Sequence, residues 1–318
     1  MPQNIAVFAL CIYDTIIGNG SVSTPKLYIF DLQKVFLLFS LFISHFLFYT
    51  HLSFSKKYFV FYENYGMMSV IFMRRFVMQH IMSQMRAAIE DYRLIENGDR
   101  IAIGLSGGKD SLVMLCALAN IRRFFNMDFD LVAVTVDPCF DNTETDFSQV
   151  QELCRRLQVK YEIRRSELSR IIFDERKEQN PCSLCARMRR GILHDICKKH
   201  NCNKLALGHH LDDAVQTFFM NLFYGGKIGC FSPKTYLSRK ELFLIRPMIF
   251  CRESKIEAVA YRNRLPVVVS ACPVDGHTCR QSTQVLIEEL ERKFPDLRRK
   301  VMGALQRADI DGWGKPIN

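Results

Sequence analysis

Four things are missing or scarce in this sequence, and each closes off a class. There is no G-x-x-x-x-G-K-S/T loop, which excludes the common nucleoside-triphosphatase phosphate loop. No internal repeat appears, so solenoids and propellers are out. The twelve cysteines among 318 residues follow no regular secreted framework, so a reducing, cytoplasmic setting fits better than a disulfide-stapled exterior. Acidic side chains are outnumbered, 33 against 43 basic, for a formal net charge of +10. That surplus suits a polyanionic partner such as RNA, and equally a protein that merely binds nucleotide. Apolar residues are not scarce: at 48% they can fill one large core or two smaller ones.

The most informative stretch is Ile101 to Ser111, I-A-I-G-L-S-G-G-K-D-S. An apolar strand breaks into the turn Ser106-Gly107-Gly108, and the helical apolar spacing resumes at Leu112 and continues to Leu118. In a strand–turn–helix of this kind, backbone N–H groups converge on an anion at the helix start. The glycines let main chain approach a phosphate closely, Lys109 adds a point charge, and Ser106 and Ser111 offer hydroxyl donors. A carboxylate beside phosphates, Asp110, needs a metal ion such as Mg²⁺ or an amide to offset repulsion. The six residues Ser106 to Ser111 resemble the S-G-G-x-D-S loop of the PP-loop ATP pyrophosphatases. The resemblance implies that ATP is split between its α and β phosphates, with pyrophosphate held by the loop.

Residues 1 to about 80 differ from the rest. Val35 to Leu52 is apolar enough for a marginal membrane span, with His45 and His51 against it. A membrane anchor, an amphipathic or core helix, and translation from a start codon placed too far upstream compete here. The Phe, Tyr, Ile, Leu, Ser and Lys bias favours the last, with later starts offered from Met67 to Met82. We therefore expect a 1–72 extension, a catalytic domain over 73–305 and a 306–318 tail.

Within the domain, a helix from Met73 precedes the strand Arg100 to Gly104. A continuous β-branched strand, Leu131 to Val136, ends in Asp137 at a carboxyl edge, where such sheets bind ligands. A helix (Gln149 to Leu157), a strand (Lys160 to Arg164) and a helix opening at Pro181 follow. Next come a strand (Lys204 to Gly208) leading into His209-His210-Leu211-Asp212-Asp213, a helix stopping at Gly225-Gly226, and a strand (Leu242 to Arg246). A helix from Glu253 to Arg264, a strand at Pro266 to Val269 and two closing helices complete the chain. Strands alternating with helices predict an α/β fold, a doubly wound parallel sheet with flanking helices.

Cys182 and Cys185 form a C-x-x-C pair at a helix start, among Arg187, Arg189 and Arg190. That setting lowers thiolate pKa values and suits an anionic metal centre or an RNA phosphate better than a redox pair or two buried thiols. Cys272 and Cys279 are the candidates to complete the site, whereas Cys116, Cys139, Cys154, Cys197, Cys202, Cys230 and Cys251 read as structural. Asp110 and Asp213 are placed to hold Mg²⁺ or to cap a helix, and Asp212 shares that choice. Gly208 allows close nucleotide approach, and His209 and His210 sit beyond a strand's carboxyl end. Arg246, before Pro247, touches phosphate or makes a surface salt bridge.

Taken together, the pieces resemble the tRNA 2-thiocytidine biosynthesis proteins (TtcA type). They are Ser106 to Ser111, Pro181-Cys182-Ser-Leu-Cys185 with Arg189-Arg190-Gly191, Gly208-His-His-x-Asp-Asp213 with Gln216-Thr217, Asn221-x-Phe-Tyr-Gly-Gly-Lys227, Ile245-Arg-Pro247 and Cys251-Arg-Glu253. The resemblance spans roughly residues 75 to 305. It implies an adenine nucleotide alpha-hydrolase-like fold, an ATP-dependent tRNA sulfurtransferase acting at the anticodon-loop cytidine 32, and a [4Fe-4S] cluster on Cys182, Cys185 and Cys272. Catalytic roles then fall to Lys109, Asp110, Cys182 and Cys185. The nucleotide falls to Ser106, Gly107, Gly108, Lys109, Asp110, Ser111, Asp137, Gly208, His209 and Asp213. Also implied are tRNA as partner, a cysteine desulfurase or other sulfur donor, and a homodimer. The family's second C-x-x-C is replaced here by Cys272-Pro-Val-Asp-Gly-His-Thr-Cys279. A four-cysteine structural zinc site with Cys279 is therefore an alternative. Two other functions compete: 2-thiouridine formation and non-catalytic ATP and RNA binding.

Overall fold

A computed structural model of the chain describes residues 78–314, apart from 126, 177–180, 270 and 274–278. The apolar run at 35–52 lies outside the described residues. The first helix, α1 (residues 78–92), buries Ile81, Met85, Ala88, Ile89 and Tyr92 at spacings of three and four, the stripe that sequence periodicity predicts.

The sheet follows from alternation. β1 (Asp99–Gly104) pairs in parallel with β2 (Phe129–Asp137), and β2 with β3 (Lys160–Arg165). On the other side of β1 come β4 (Lys204–Ala206) and then β6 (Leu242–Ile245), both parallel. Because Cβ atoms alternate between faces, Ile101, Ile103, Leu131 and Ala133 enter one core while Ala102, Val132, Val134 and Leu205 enter the other. The first core also takes α2 (Lys109–Phe124), α3 (Ser148–Arg156), α5 (Leu211–Phe223) and α6 (Glu253–Arg262). The second is covered by Leu193, Ile196 and Cys197 of α4 (Pro181–Lys199), with Leu168 and Ile172. Helices on both faces make the sheet doubly wound, as expected.

Two features depart from the expected all-parallel sheet. A sixth strand, β5 (Lys234–Leu237), folds back antiparallel on β6 and becomes the edge on that side, giving the order β3-β2-β1-β4-β6-β5. Pro266 to Val269 is not a strand: it is β-branched but crosses the strand ends, with Val269 87% exposed. Its backbone is spent on the phosphate loop instead, where the Val268 N–H donates to the Gly107 carbonyl, and not on either edge strand, β3 or β5.

The chain direction reverses beside β1, which carries β2 on one side and β4 on the other. That switch point opens a crevice beyond the strands' carboxyl ends, where ligands bind in such sheets. Two closing helices follow, α7 (Cys279–Lys293) and α8 (Leu297–Arg307). Residues 306–314 are no loose tail. Trp313 is fully buried, its indole N–H donates to the Phe231 carbonyl at 2.8 Å, and the Tyr92 hydroxyl donates to the Trp313 carbonyl at 2.9 Å.

Candidate active site

The crevice at the switch point is built on the loop between β1 and α2. Gly108 precedes α2 in extended backbone with no side chain capping the helix, so the first-turn N–H groups are left for a ligand. Ser106 Oγ accepts from the Gly108 N–H at 3.2 Å, the Ser111 hydroxyl donates to the Gly108 carbonyl at 2.9 Å, and the two hydroxyls lie 3.2 Å apart. Gly107 sits at φ +85°, and a Cβ there would stand 2.9 Å from the Val268 Cβ. Only glycine both adopts that backbone and leaves room for the crossing segment.

Lys109 projects from the loop to Glu253 at 2.8 Å and to Asp110 at 3.3 Å. Burial draws the Lys109 ammonium downward, but the Glu253 hydrogen bond and both carboxylate charges outweigh it, and the net shift is upward. Burial pushes the Asp110 carboxyl up, against the lowering charges of Lys109 and His210. Its Oδ1 is buried without a hydrogen bond. Sequence reasoning gave Glu253 no role; it appeared only within the Cys251-Arg-Glu253 motif, and its partner lies 144 residues away.

Beyond β4, Gly208 lies against the start of α2, where a Cβ would come within 3.3 Å of the Ser111 nitrogen. Its closeness therefore serves packing of the two loops. His210 and Asp213 form a reciprocal capping box on α5: the Asp213 N–H donates to His210 Nδ1 at 3.4 Å, and Asp213 Oδ2 accepts from the His210 N–H at 3.1 Å. Asp213 Oδ1 receives Arg280 at 2.7 Å. Asp212 is buried and structural in its contacts, accepting from the Glu253 N–H at 2.7 Å and from Arg298 at 2.8 Å. His209 packs its ring 5.1 Å from Phe231, with Nδ1 buried and unpartnered. Burial, then the Arg246 charge, pulls it down to about 4, so it is neutral at physiological pH. Asp137 is at the β2 edge as expected, but its carboxylate is occupied: it accepts from the Cys139 N–H at 3.1 Å, the Thr145 N–H at 2.9 Å and the Thr145 hydroxyl at 3.0 Å. It holds the 138–147 connection in place.

Cys182 and Cys185 stand one turn apart on the first turns of α4, Cys182 exposed and Cys185 half-buried. Contrary to the lowering expected from the arginines, burial pushes the Cys185 thiol up; Arg189 opposes that, and the nearby Cys272 and Cys182 thiols add to it. The three cysteines therefore share one electrostatic neighbourhood. Among the described residues no three His, Cys, Asp or Glu side chains close tightly enough to hold a single metal ion. The side chain of Cys279 lies outside the described residues. Cys272 arrives on the segment that crosses the phosphate loop, where the Val268 N–H donates to the Gly107 carbonyl at 3.0 Å. The arginine patch divides. Arg189 turns in and donates to the Val136 carbonyl at 3.2 Å, while Arg187 and Arg190 remain exposed.

A glycine turn opening a helix at the switch point of a doubly wound sheet, with serine hydroxyls and a lysine around it, defines a PP-loop domain, and the model of that family matches residues 77–275. Within that class the chain belongs to the tRNA-cytidine 2-sulfurtransferases, the TtcA type. It is 39% identical over 221 residues to the tRNA-cytidine(32) 2-sulfurtransferase of Syntrophotalea carbinolica, covering 69% of this chain and 85% of that protein. The enzyme of the same name from Geobacter sulfurreducens is 37% identical, with the same coverage. Among solved structures, the U34-tRNA thiolase NcsA from Methanococcus maripaludis, with its [4Fe-4S] cluster, superposes with a TM-score of 0.62. It is 25% identical, and the match covers 74% of this chain and 79% of that one.

Proposed function

We propose that this chain thiolates cytidine 32 of the tRNA anticodon loop at the expense of ATP. The C2 oxygen of the base attacks the α-phosphorus, the bond to the bridging oxygen breaks, and pyrophosphate leaves into the Ser106–Ser111 loop. The base then carries AMP at C2. When sulfur adds at C2, the C2–O bond breaks and AMP departs with the oxygen.

The residues divide this work. The uncapped first-turn N–H groups of α2 and the Ser106 hydroxyl cradle the pyrophosphate, with Gly107, Gly108 and Ser111 shaping the loop around it, and Lys109 neutralises it by leaving Glu253. Asp110, whose Oδ1 is met by the Lys109 charge at 3.3 Å and by no hydrogen bond, is the group assigned to Mg²⁺ once Lys109 turns to the phosphate. Asp213 and His209 border the nucleotide beside Gly208, and Asp137 fixes the wall opposite. Cys182, Cys185 and Cys272 fit a [4Fe-4S] cluster: one helical turn presents two thiols on one face, and Arg189 offsets their negative charge. Bound there, such a cluster would supply the sulfur-carrying chemistry, with a cysteine desulfurase or another donor as the source of sulfur. A homodimer in the cytoplasm belongs to the same reading. No helix among the described residues is long and apolar enough to cross a membrane.

The observation that carries this reading is the course of the crossing segment. It hydrogen-bonds the phosphate loop at Gly107 and, four residues beyond Val268, carries Cys272 into electrostatic reach of the Cys185 thiol. Nucleotide and sulfur chemistry therefore meet along one short stretch of chain. Cytidine is preferred to uridine because the cytidine(32) enzymes are the nearer in sequence, at 37–39% against 25% identity. The test is pyrophosphate release by the purified chain with a tRNA transcript. Release should depend on cytidine at position 32; equal release with uridine there would move the target.

A further inference from the structure

Arg246 follows β6 at the same carboxyl edge as the phosphate loop, yet it is neither a surface residue nor half of an ion pair. It is 7% exposed, and among the described residues no carboxylate lies within ion-pairing distance of it. Its guanidinium lies over the Phe231 ring with Cζ 4.9 Å from the centroid, and Nη1 donates to the Ser232 carbonyl. The other edge of the fork is open: Nε is buried with no hydrogen-bond partner. Burial pulls the group down to about 10, so it stays charged at neutral pH. Next to it, His209 leans on the same Phe231 ring and also keeps a buried, unpartnered Nδ1.

A desolvated cation without a counter-charge is costly, and a fold that keeps one is holding a place for an anion. The open Nε/Nη2 edge has the two parallel donors that match a phosphate's oxygens. The place also indicates which phosphate. β6 lies two strands from β1 across the sheet, roughly 10 Å from the loop that takes the pyrophosphate. The other positive charge bearing on Arg246 is Arg190, exposed on the cysteine-bearing helix α4. An anion at Arg246 would therefore sit at the same sheet edge as the nucleotide loop and within electrostatic reach of the cysteine-bearing helix.

We propose that the open edge of Arg246, beside His209 and backed by Arg190, seats one backbone phosphate of the RNA substrate. The identity of the RNA rests on the tRNA-modification reading above; the anion seat itself does not. Phe231 aligns the guanidinium, so the seat is formed before the RNA arrives and needs no rearrangement to accept it.

The test is equilibrium binding of an unmodified tRNA transcript to the full chain across a salt series, with ATP binding measured in parallel. Arg246→Met should weaken tRNA binding roughly tenfold and reduce the salt slope by about one phosphate contact, leaving ATP affinity within about twofold. Arg246→Lys, which keeps the charge but not the fork, should recover only part of the loss. Arg190→Gln, on the surface and safe for folding, should give a smaller loss in the same direction. Thermal melting separates a structural role, because removing an uncompensated buried charge should leave the Tm of the ligand-free protein unchanged or raised. A lowered Tm with unchanged tRNA affinity would overturn the proposal. So would a loss confined to ATP, equal tRNA binding by wild type and variants, or no tRNA binding by the wild type. A chain that binds tRNA through Arg246 but thiolates no cytidine would sink the functional reading alone.

Discussion

At the residue scale the site is a set of charges held in tension. Lys109 is held between Glu253 and Asp110, poised to exchange carboxylates for phosphate. Lys109→Ala should lower tRNA-dependent pyrophosphate release by roughly 10²–10³-fold, measured by a coupled phosphate assay, with little change in Tm. His209 gives a second expectation, in pH. Its folded value, about 4, lies below the ordinary histidine value, so the unfolded chain gains a proton first as pH falls. Its contribution is therefore a destabilisation that begins near about pH 6.5 and is complete once pH has fallen through about 4. His209→Asn should flatten that part of the stability profile, as read by denaturant titration between those values. Residue identities in the loop and the C-x-x-C pair were legible because their chemistry is local. Glu253 was not, since nothing near it in sequence announces Lys109. Nor was the commitment of Asp137 to Thr145, a contact that depends on how the 138–147 connection folds.

Elements carry the site only where their ends meet. The phosphate loop, the Gly208 turn and the crossing segment at Val268 interlock so tightly that glycine is required at their junction. Gly107→Ala would meet both a positive φ and a Cβ 2.9 Å from Val268. It should destabilise by about 1–3 kcal/mol and weaken ATP binding. Gly98→Ala makes the control: its φ is +84°, with nothing within 4 Å of the added Cβ. It should lower stability less and leave ATP binding alone; calorimetry on both variants checks the pair. The parallel strands were readable from their continuous β-branched runs, and the helices from their stripes. β5 was missed because K-T-Y-L is short and half-exposed, with no apolar alternation to mark it. Pro266 to Val269 misled for the opposite reason: a β-branched run reads as a strand whether or not the chain lays it along a sheet edge.

For the whole molecule, the catalytic unit reaches further toward the carboxyl end than sequence periodicity suggested. Trp313 ties the last turns to α1 and to the loop before β5. It is the sole tryptophan and fully buried, so native emission should be blue-shifted and should move red on unfolding. Trp313→Ala should cost about 3–5 kcal/mol by denaturant titration. We further propose that residues 73–318 suffice for folding and activity. A chain shortened to them should keep the Tm and the tRNA-dependent pyrophosphate release of the full chain, whereas one ending at 305 should not fold.

The central claim joins nucleotide activation to sulfur delivery at the cysteine trio, and one measurement tests both. The gene would be deleted and bulk tRNA nucleosides profiled by mass spectrometry, with the intact gene or Cys182→Ala returned on a plasmid. The account predicts loss of 2-thiocytidine, restored by the intact gene and not by the variant. Unchanged 2-thiocytidine in the deletion, or full restoration by Cys182→Ala, would contradict it.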